Sequence, residues 1–362
     1  MSKVHNFNAG PSILPEEVIE EVSKGAKDLN GNGVSVLEIS HRSKEFKQIM
    51  QEAQNLVREL LDIPDNYSVL FLQGGASLGF HMIPMNLMKA ENGKAAYVET
   101  GSWAKKAIKE AKKTGEVEVI ASSADSNHDH IPKDFEVPSD ADYLHITSNN
   151  TIFGTQFRSF PETDIPVVCD MSSDIFSRPI DIDKFDLIYA GAQKNMGPAG
   201  TTLYVVNNDI LGKTGRDIPS ILDFQVHDDK DSIYNTPSVY AVYACKKVLE
   251  WIKKNGGVQG MEERNAEKAE LLYDEIDRNP MFEGVAKEED RSHMNVTFVM
   301  KDDEQKEAFE QMWQEAGIIG LPGHRSVGGY RASIYNALPK ESVEALVSVM
   351  KEFSEKYSKV EQ

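Results

Sequence analysis

The sequence is short of positive charge. Against 58 Asp and Glu it sets 39 Lys and Arg, a formal net charge of −19. So anionic a surface repels phosphate backbones and anionic lipid, which argues against nucleic acid or a membrane as partner. An anionic small molecule would need a local basic island in this acidic chain. Cysteine is nearly absent: Cys169 and Cys245 are the only two in 362 residues. They form no CxxC pattern, so no metal site of that kind is expected. Cys169 closes the apolar run Pro166-Val167-Val168-Cys169 and Cys245 falls in a helical stretch. Both read as buried reduced thiols, which fits a cytoplasmic protein. No run approaches the roughly 18 apolar residues of a membrane span. The opening MSKVHNFNAGPSILPEE lacks the continuous apolar stretch of a signal peptide. With 40% hydrophobic and 27% charged residues the chain still has the balance of a globular protein, so the excess acid belongs to its surface.

What is present is an alternation. Glu16–Lys27 and Ser43–Leu61 read as helices, the second with Phe46, Ile49, Met50, Ala53, Leu56, Val57 and Leu60 at helical spacing. Short apolar runs then alternate with helical segments. The strands expected are Ser68–Gln73, Lys94–Glu99, Val117–Ala121, Tyr143–Thr147, Val167–Asp170, Leu187–Ala190 and Thr201–Val206, with helices at Leu78–Met88 and Trp103–Thr114. This pattern predicts an α/β fold with a mainly parallel sheet, all strand C-termini on one ligand-binding rim. After Pro237 the helices lengthen (Ser238–Asn255, Val258–Asn279, Asp303–Glu315, Lys340–Tyr357), with only Met294–Met300 and Tyr330–Ser333 as strands. The chain thus divides into a large domain at 16–258 and a smaller α+β C-terminal domain at 259–362, with residues 1–15 packing on the second.

Three signals carry chemistry. Gln73-Gly74-Gly75-Ala76-Ser77-Leu78-Gly79 follows a strand and opens a helix. Its small residues and free N–H groups suit a phosphate cup, and equally a tight turn with no ligand. Asp170 ends one apolar strand, and Lys194 follows the next in the Gly/Ala/Pro-rich turn AGAQKNMGPAG, so both belong to the same rim. An Asp and a Lys taken alone suggest an ordinary ion pair. Beside a phosphate cup they match the needs of pyridoxal 5'-phosphate (PLP): an amine for a Schiff base and proton transfer, and a carboxylate against the pyridine nitrogen. Trp103, after the strand at Lys94–Glu99, places an indole where it can stack on a flat ring or simply anchor its helix.

These residues occur within longer motifs: Asn6-Phe7-Asn8-Ala9-Gly10-Pro11, Ser40-His41-Arg42-Ser43, Gly101-Ser102-Trp103, Asn149-Asn150-Thr151-Ile152-Phe153-Gly154, Asp170-Met171-Ser172-Ser173, Ala192-Gln193-Lys194-Asn195, Tyr234-Asn235-Thr236-Pro237 and Gly323-His324-Arg325. Together they resemble the phosphoserine aminotransferases, PLP enzymes of fold type I and aminotransferase class V. The resemblance implies that Lys194 carries the cofactor, Asp170 pairs with its ring nitrogen, Trp103 stacks on the ring and Thr151 bonds the ring hydroxyl. It places Ala76, Ser77 and Gln193 on the phosphate, and Asn235 and Thr236 on the phosphate of the neighbouring subunit's cofactor, which implies a homodimer with shared sites. Arg331 would clamp the α-carboxylate, and His41 and Arg42 the distal anion, with His324 and Arg325 arriving from the partner subunit. Some relatives carry Arg in the cup where this chain has Ser77. The implied reaction is transamination between L-glutamate and 3-phosphohydroxypyruvate in serine biosynthesis, with a possible further step in vitamin B6 synthesis.

Arginine also suits such a substrate on physical grounds, through bidentate bonds to carboxylate and phosphate. Other readings fit less well. A cysteine desulfurase needs a mobile nucleophilic Cys, which neither thiol resembles. A nucleotide-dependent dehydrogenase needs an acidic residue closing the second strand, and none is clear. A serine–glyoxylate aminotransferase of the same fold type and a non-catalytic binding or scaffold protein stay open as readings; an aldimine absorbance band that vanishes in Lys194→Ala separates the scaffold from a PLP enzyme.

Overall fold

The computed structural model describes residues 4–325 and 327–358. The chain enters through β1 (His5–Asn6), passes a cis Gly10–Pro11 bond, and forms α1 (Glu16–Lys27) and α2 (Lys44–Leu61). The Ser43 hydroxyl starts α2 by accepting from the Phe46 N–H at 3.2 Å, and Asp62 in the left-handed region ends it. Between these caps the predicted apolar stripe is buried and faces α6, introduced below.

Alternation follows, in β2 (Tyr67–Leu72), α3 (Gly75–Leu87), β3 (Lys94–Glu99), α4 (Ser102–Ala111), β4 (Glu116–Ser122) and β5 (Tyr143–Thr147). A hairpin of β6 (Asn149–Asn150) and β7 (Thr155–Gln156) precedes β8 (Val167–Asp170), β9 (Leu187–Gly191) and β10 (Thr202–Asn207). The last third holds α5 (Phe224–Asp228), α6 (Val239–Lys254), α7 (Gly257–Arg278), β11 (Phe282–Gly284), β12 (Asn295–Met300), α8 (Lys306–Glu315), β13 (Ile318–Ile319), β14 (Tyr330–Ser333) and α9 (Lys340–Tyr357). No helix among the described residues is long and apolar enough to cross a membrane.

The main sheet has the order β2-β10-β9-β8-β5-β3-β4. Strand β10 is antiparallel to both its neighbours, so the single-rim expectation holds for the other strands and fails there. The reason is length. Only ten residues, 192–201, separate β9 from β10. That is too short for a helical crossover, so the chain returns as a hairpin. The site turn with Lys194 is this hairpin's loop.

Successive residues of β2 alternate between the two faces. Val69 and Phe71 join one core with α1, α2 and α6, while Leu70 and Leu72 join another with Tyr97, Tyr189 and Tyr204 under α3 and α4. A third core gathers α7, α8, α9 and the sheet β11-β12-β14, and includes Phe7 from the N-terminal segment.

Lys268 of α7 lies wholly inside, 0% exposed, and its Nζ donates to the carbonyls of Ile334, Tyr335 and Leu338 at 2.8, 2.6 and 3.1 Å. All three ammonium donors are satisfied, which fixes the turn leaving β14. Lys268→Met keeps the stem but leaves the Ile334 and Leu338 carbonyls without this donor, while that of Tyr335 still accepts from the Leu338 N–H. We expect it to cost about 2–4 kcal/mol, read as a lower urea midpoint at unchanged slope.

Candidate functional site

The rim at the C-terminal ends of β2, β3, β5, β8 and β9 collects the polar groups. Lys194 is held through its backbone. The Ser12 N–H donates to the Gln193 carbonyl at 2.9 Å, and the Ser12 hydroxyl donates to the Lys194 carbonyl. On the other side Asn195 donates to the Ile175 carbonyl at 2.6 Å and accepts from the Asn336 N–H at 3.0 Å. With its backbone fixed, Lys194 aims its Nζ at the Thr151 hydroxyl, 2.8 Å away, and 5.3 Å from the centre of the Trp103 ring. Burial lowers the ammonium pKa to about 8. The carboxylate of Asp170 opposes that fall, and the guanidinium of Arg331 adds to it.

Asp170 is 5% exposed at the end of β8, and its Oδ1 accepts from the Ser172 N–H at 2.9 Å. Burial raises its pKa, while the charge of Lys194 acts to lower it. Both groups therefore shift towards neutrality for the same first reason, loss of water, which outweighs their mutual attraction. Among the described residues Lys194 and Asp170 form no direct ion pair. Beneath Asp170 the register sets Tyr189 beside it on β9. The Tyr189 hydroxyl is 2.8 Å from His145 Nε2, and His145 stacks on Tyr97 with ring centres 4.7 Å apart. Burial holds His145 neutral, its pKa lowered to about 3.

Thr151 sits in the β6–β7 hairpin, which is braced from two sides. Thr100 donates to the Asn150 side chain at 3.0 Å, and Thr297 donates to the Phe153 carbonyl at 2.9 Å. Gly154 has φ +78°, and a Cβ there would run into the Thr297 side chain. Trp103 opens α4 after Gly101, where a Cβ would press on the Asn150 side chain. The indole Nε1 is buried without a partner. The turn after β2 has Gly74 at φ +98° and Gly75 at φ +65°, so α3 starts at Gly75, three residues earlier than the apolar pattern places it. No side chain caps this end. The N–H groups of Gly75, Ala76 and Ser77 thus lack intrahelical partners, as an anion cup requires. Asn235 donates to the Gln73 side chain at 2.9 Å, which sets the 234–237 segment at the cup's edge, with Thr236 exposed.

Arg331, on β14, is half-buried, and its Nε is buried without a partner. His324 has its pKa lowered first by burial, then by the charges of Arg331, Arg325 and Lys106. His324, Arg325 and Arg331 are therefore neighbours within one chain, and Arg331 also acts on Lys194. His41 and Arg42 stand apart. Arg42 is exposed in the loop before α2 and lines a surface cavity with Lys47, Asp229 and Lys230. Among the described residues no hydrogen bond, ion pair or ring contact joins either to Lys194, Asp170 or Trp103.

Several site residues escape the sequence reading: Ser12, Asn336, Ser172, Thr100 and the Tyr189–His145 pair. Strand register could have pointed to Tyr189, since it shares a face with Asp170. Ser172 bonds Asp170 from two residues away, and Ser12, Asn336 and Thr100 act through long-range bonds that no local pattern signals.

The buried unpaired indole and guanidinium nitrogens, the uncapped helix end and the amine–carboxylate pair form a donor set that fits a flat, phosphorylated, aldehyde-bearing cofactor. The model of the aminotransferase class-V family matches residues 4–346. The phosphoserine aminotransferase of Flavobacterium johnsoniae is 62% identical, over 98% of this chain and 99% of its own. Among solved structures, the phosphoserine aminotransferase from Bacillus circulans subsp. alkalophilus is 46% identical with a TM-score of 0.95, covering 98% of this chain and 99% of that one. The PLP-bound phosphoserine aminotransferase from Trichomonas vaginalis is 36% identical with a TM-score of 0.91, covering 96% and 100%.

Proposed function

This chain belongs to the class-V aminotransferase family, and on that premise we propose that it transfers the amino group of L-glutamate to 3-phosphohydroxypyruvate, reversibly, giving O-phospho-L-serine and 2-oxoglutarate. The observation that carries the reading is the Lys194 amine, set between the Thr151 hydroxyl and the Trp103 ring and within electrostatic reach of buried Asp170.

PLP, when bound, supplies an electron sink for charge developing at the substrate's α-carbon. The rest falls to the protein. Lys194 carries the cofactor and then takes and returns the α-proton, a task suited to an amine whose pKa is lowered to about 8. Asp170 would hold the ring nitrogen's proton, Trp103 would lie against the ring and exclude water, and Thr151 would bond the ring hydroxyl. Ala76, Ser77 and Gln193 hold the phosphate at the cup.

Arg331 clamps the α-carboxylate, supported by its half-burial and unpartnered Nε. The distal anion takes His41 and Arg42 together with His324 and Arg325. Because the first pair is unconnected to Lys194 within one chain, this reading needs a homodimer. One subunit gives His41 and Arg42, the other His324 and Arg325, and Asn235 and Thr236 reach the neighbouring phosphate. We place the enzyme in the cytoplasm, and the working units at 16–258 and 259–362. Phe7 in the core of the second unit supports packing residues 4–15 there; residues 1–3 of that expectation lie outside the described residues.

A coupled assay of purified protein with PLP, glutamate and 3-phosphohydroxypyruvate tests the activity, and failure to form phosphoserine overturns it. The lowered amine pKa also sets a pH dependence. Only neutral Lys194 attacks an aldehyde, so the rate of PLP capture by cofactor-free protein should rise about tenfold from pH 7 to 9 and level above that. An amine at its ordinary value would give about a hundredfold rise with no levelling. Stopped-flow absorbance distinguishes the two.

A further inference from the structure

We propose that Lys106 is a specificity-determining residue for the distal phosphate, a cation on α4 that supplies charge the cup lacks at Ser77. The proposal rests on the reading of this site as one for a substrate with a distal anion. Lys106 lies three residues after Trp103, on the same face of α4. Its Nζ is 4.0 Å from the centre of the Trp103 ring, and the Lys194 Nζ is 5.3 Å from that same centre. One indole thus connects the reacting amine to Lys106. The lysine is exposed and, among the described residues, forms no ion pair, although its neighbour Lys105 finds Glu99 at 3.4 Å. An unpaired cation is unusual company in a chain with 19 more acidic than basic groups.

Lys106 is not alone. The charges of Lys106, Arg325 and Arg331 all act on His324. Three cations gathered in one place repel one another, and an arriving dianion relieves that repulsion. Across from them, Ser77 stands exposed in the first turn of α3, which packs beside α4 and offers backbone donors but no cation. The flexible four-carbon stem of Lys106 lets its ammonium leave the indole and meet a phosphate.

The competing role is cover alone, with the stem shielding Trp103 and the ammonium held by the ring. Lys106→Met keeps the stem and removes the charge, so it separates the two. The holoenzyme variants Lys106→Met and Lys106→Arg are assayed with glutamate and either 3-phosphohydroxypyruvate or unphosphorylated hydroxypyruvate. Calorimetry follows inorganic phosphate binding to the same PLP-loaded proteins. For Lys106→Met we expect about a tenfold rise in KM for the phosphorylated acceptor with kcat within about twofold, an unchanged kcat/KM for hydroxypyruvate, and a parallel loss of phosphate affinity. Lys106→Arg should stay near wild type. A KM within twofold in Lys106→Met, or an equal loss with both acceptors, overturns the proposal. A wild-type protein inactive with either acceptor would sink the transaminase reading instead, and phosphate calorimetry would still decide on Lys106.

Discussion

Replacing Lys194 with Ala is expected to lower turnover by about 10⁴-fold or more, because in the proposed mechanism one amine performs both the covalent attachment and the proton transfer. No neighbour can substitute. Thr151 is neutral, Arg331 stays protonated, and Lys106 is exposed against the Trp103 ring. Borohydride should fix PLP to the wild type and not to the variant, while the cup still binds phosphate. A stability readout guards against the trivial explanation of misfolding. The amine's pKa falls on folding from its ordinary 10.5 to about 8, so between those values the unfolded chain binds more protons than the folded one. Wild-type stability, measured without PLP, should therefore rise with pH across that window, and the contribution is absent below about pH 8. In Lys194→Ala the rise should shrink. Retention of more than about 1% of wild-type turnover would refute the role given to Lys194.

The main features of this site were legible in the sequence because they sit where pattern changes. Asp170 closes an apolar run, Lys194 follows the next, and the glycines at 74 and 75 break a strand before a helix begins. A two-residue strand has no such signature. The β6–β7 hairpin is defined by the Asn150–Thr155 bond within it and by the bonds of Asn150 and Phe153 to Thr100 and Thr297, so it was read only as a motif. The direction of β10 was recoverable in principle, since ten residues cannot hold a crossover helix, yet alternation of strands argued the opposite. The start of α3 was misplaced because Gly74 and Gly75 look like loop. Their positive φ values are what lets the chain turn sharply and leave its N–H groups pointing outward. The relation of His41 and Arg42 to Lys194 was least visible, since in the proposed dimer it depends on a surface that two chains share.

Asp170→Asn should lower turnover by about 10³-fold through electrostatics alone. Asn keeps the shape, and its carbonyl can still accept from the Ser172 N–H that Asp170 now holds at 2.9 Å. The fold should survive, since burial already disfavours the Asp170 charge and a neutral amide removes that cost. What disappears is the negative charge that, in the proposed mechanism, would keep the cofactor's ring nitrogen protonated. The same substitution should act in the opposite direction on Lys194. Asp170 raises the amine's pKa against the larger effect of burial, so without it the amine becomes neutral at still lower pH. The midpoint for PLP capture should therefore move below about 8, and capture at neutral pH should quicken while transamination slows. A structural role for Asp170 would slow both together. Faster capture with slower turnover therefore identifies an electrostatic role, and a variant that transaminates within tenfold of wild type removes Asp170 from the mechanism.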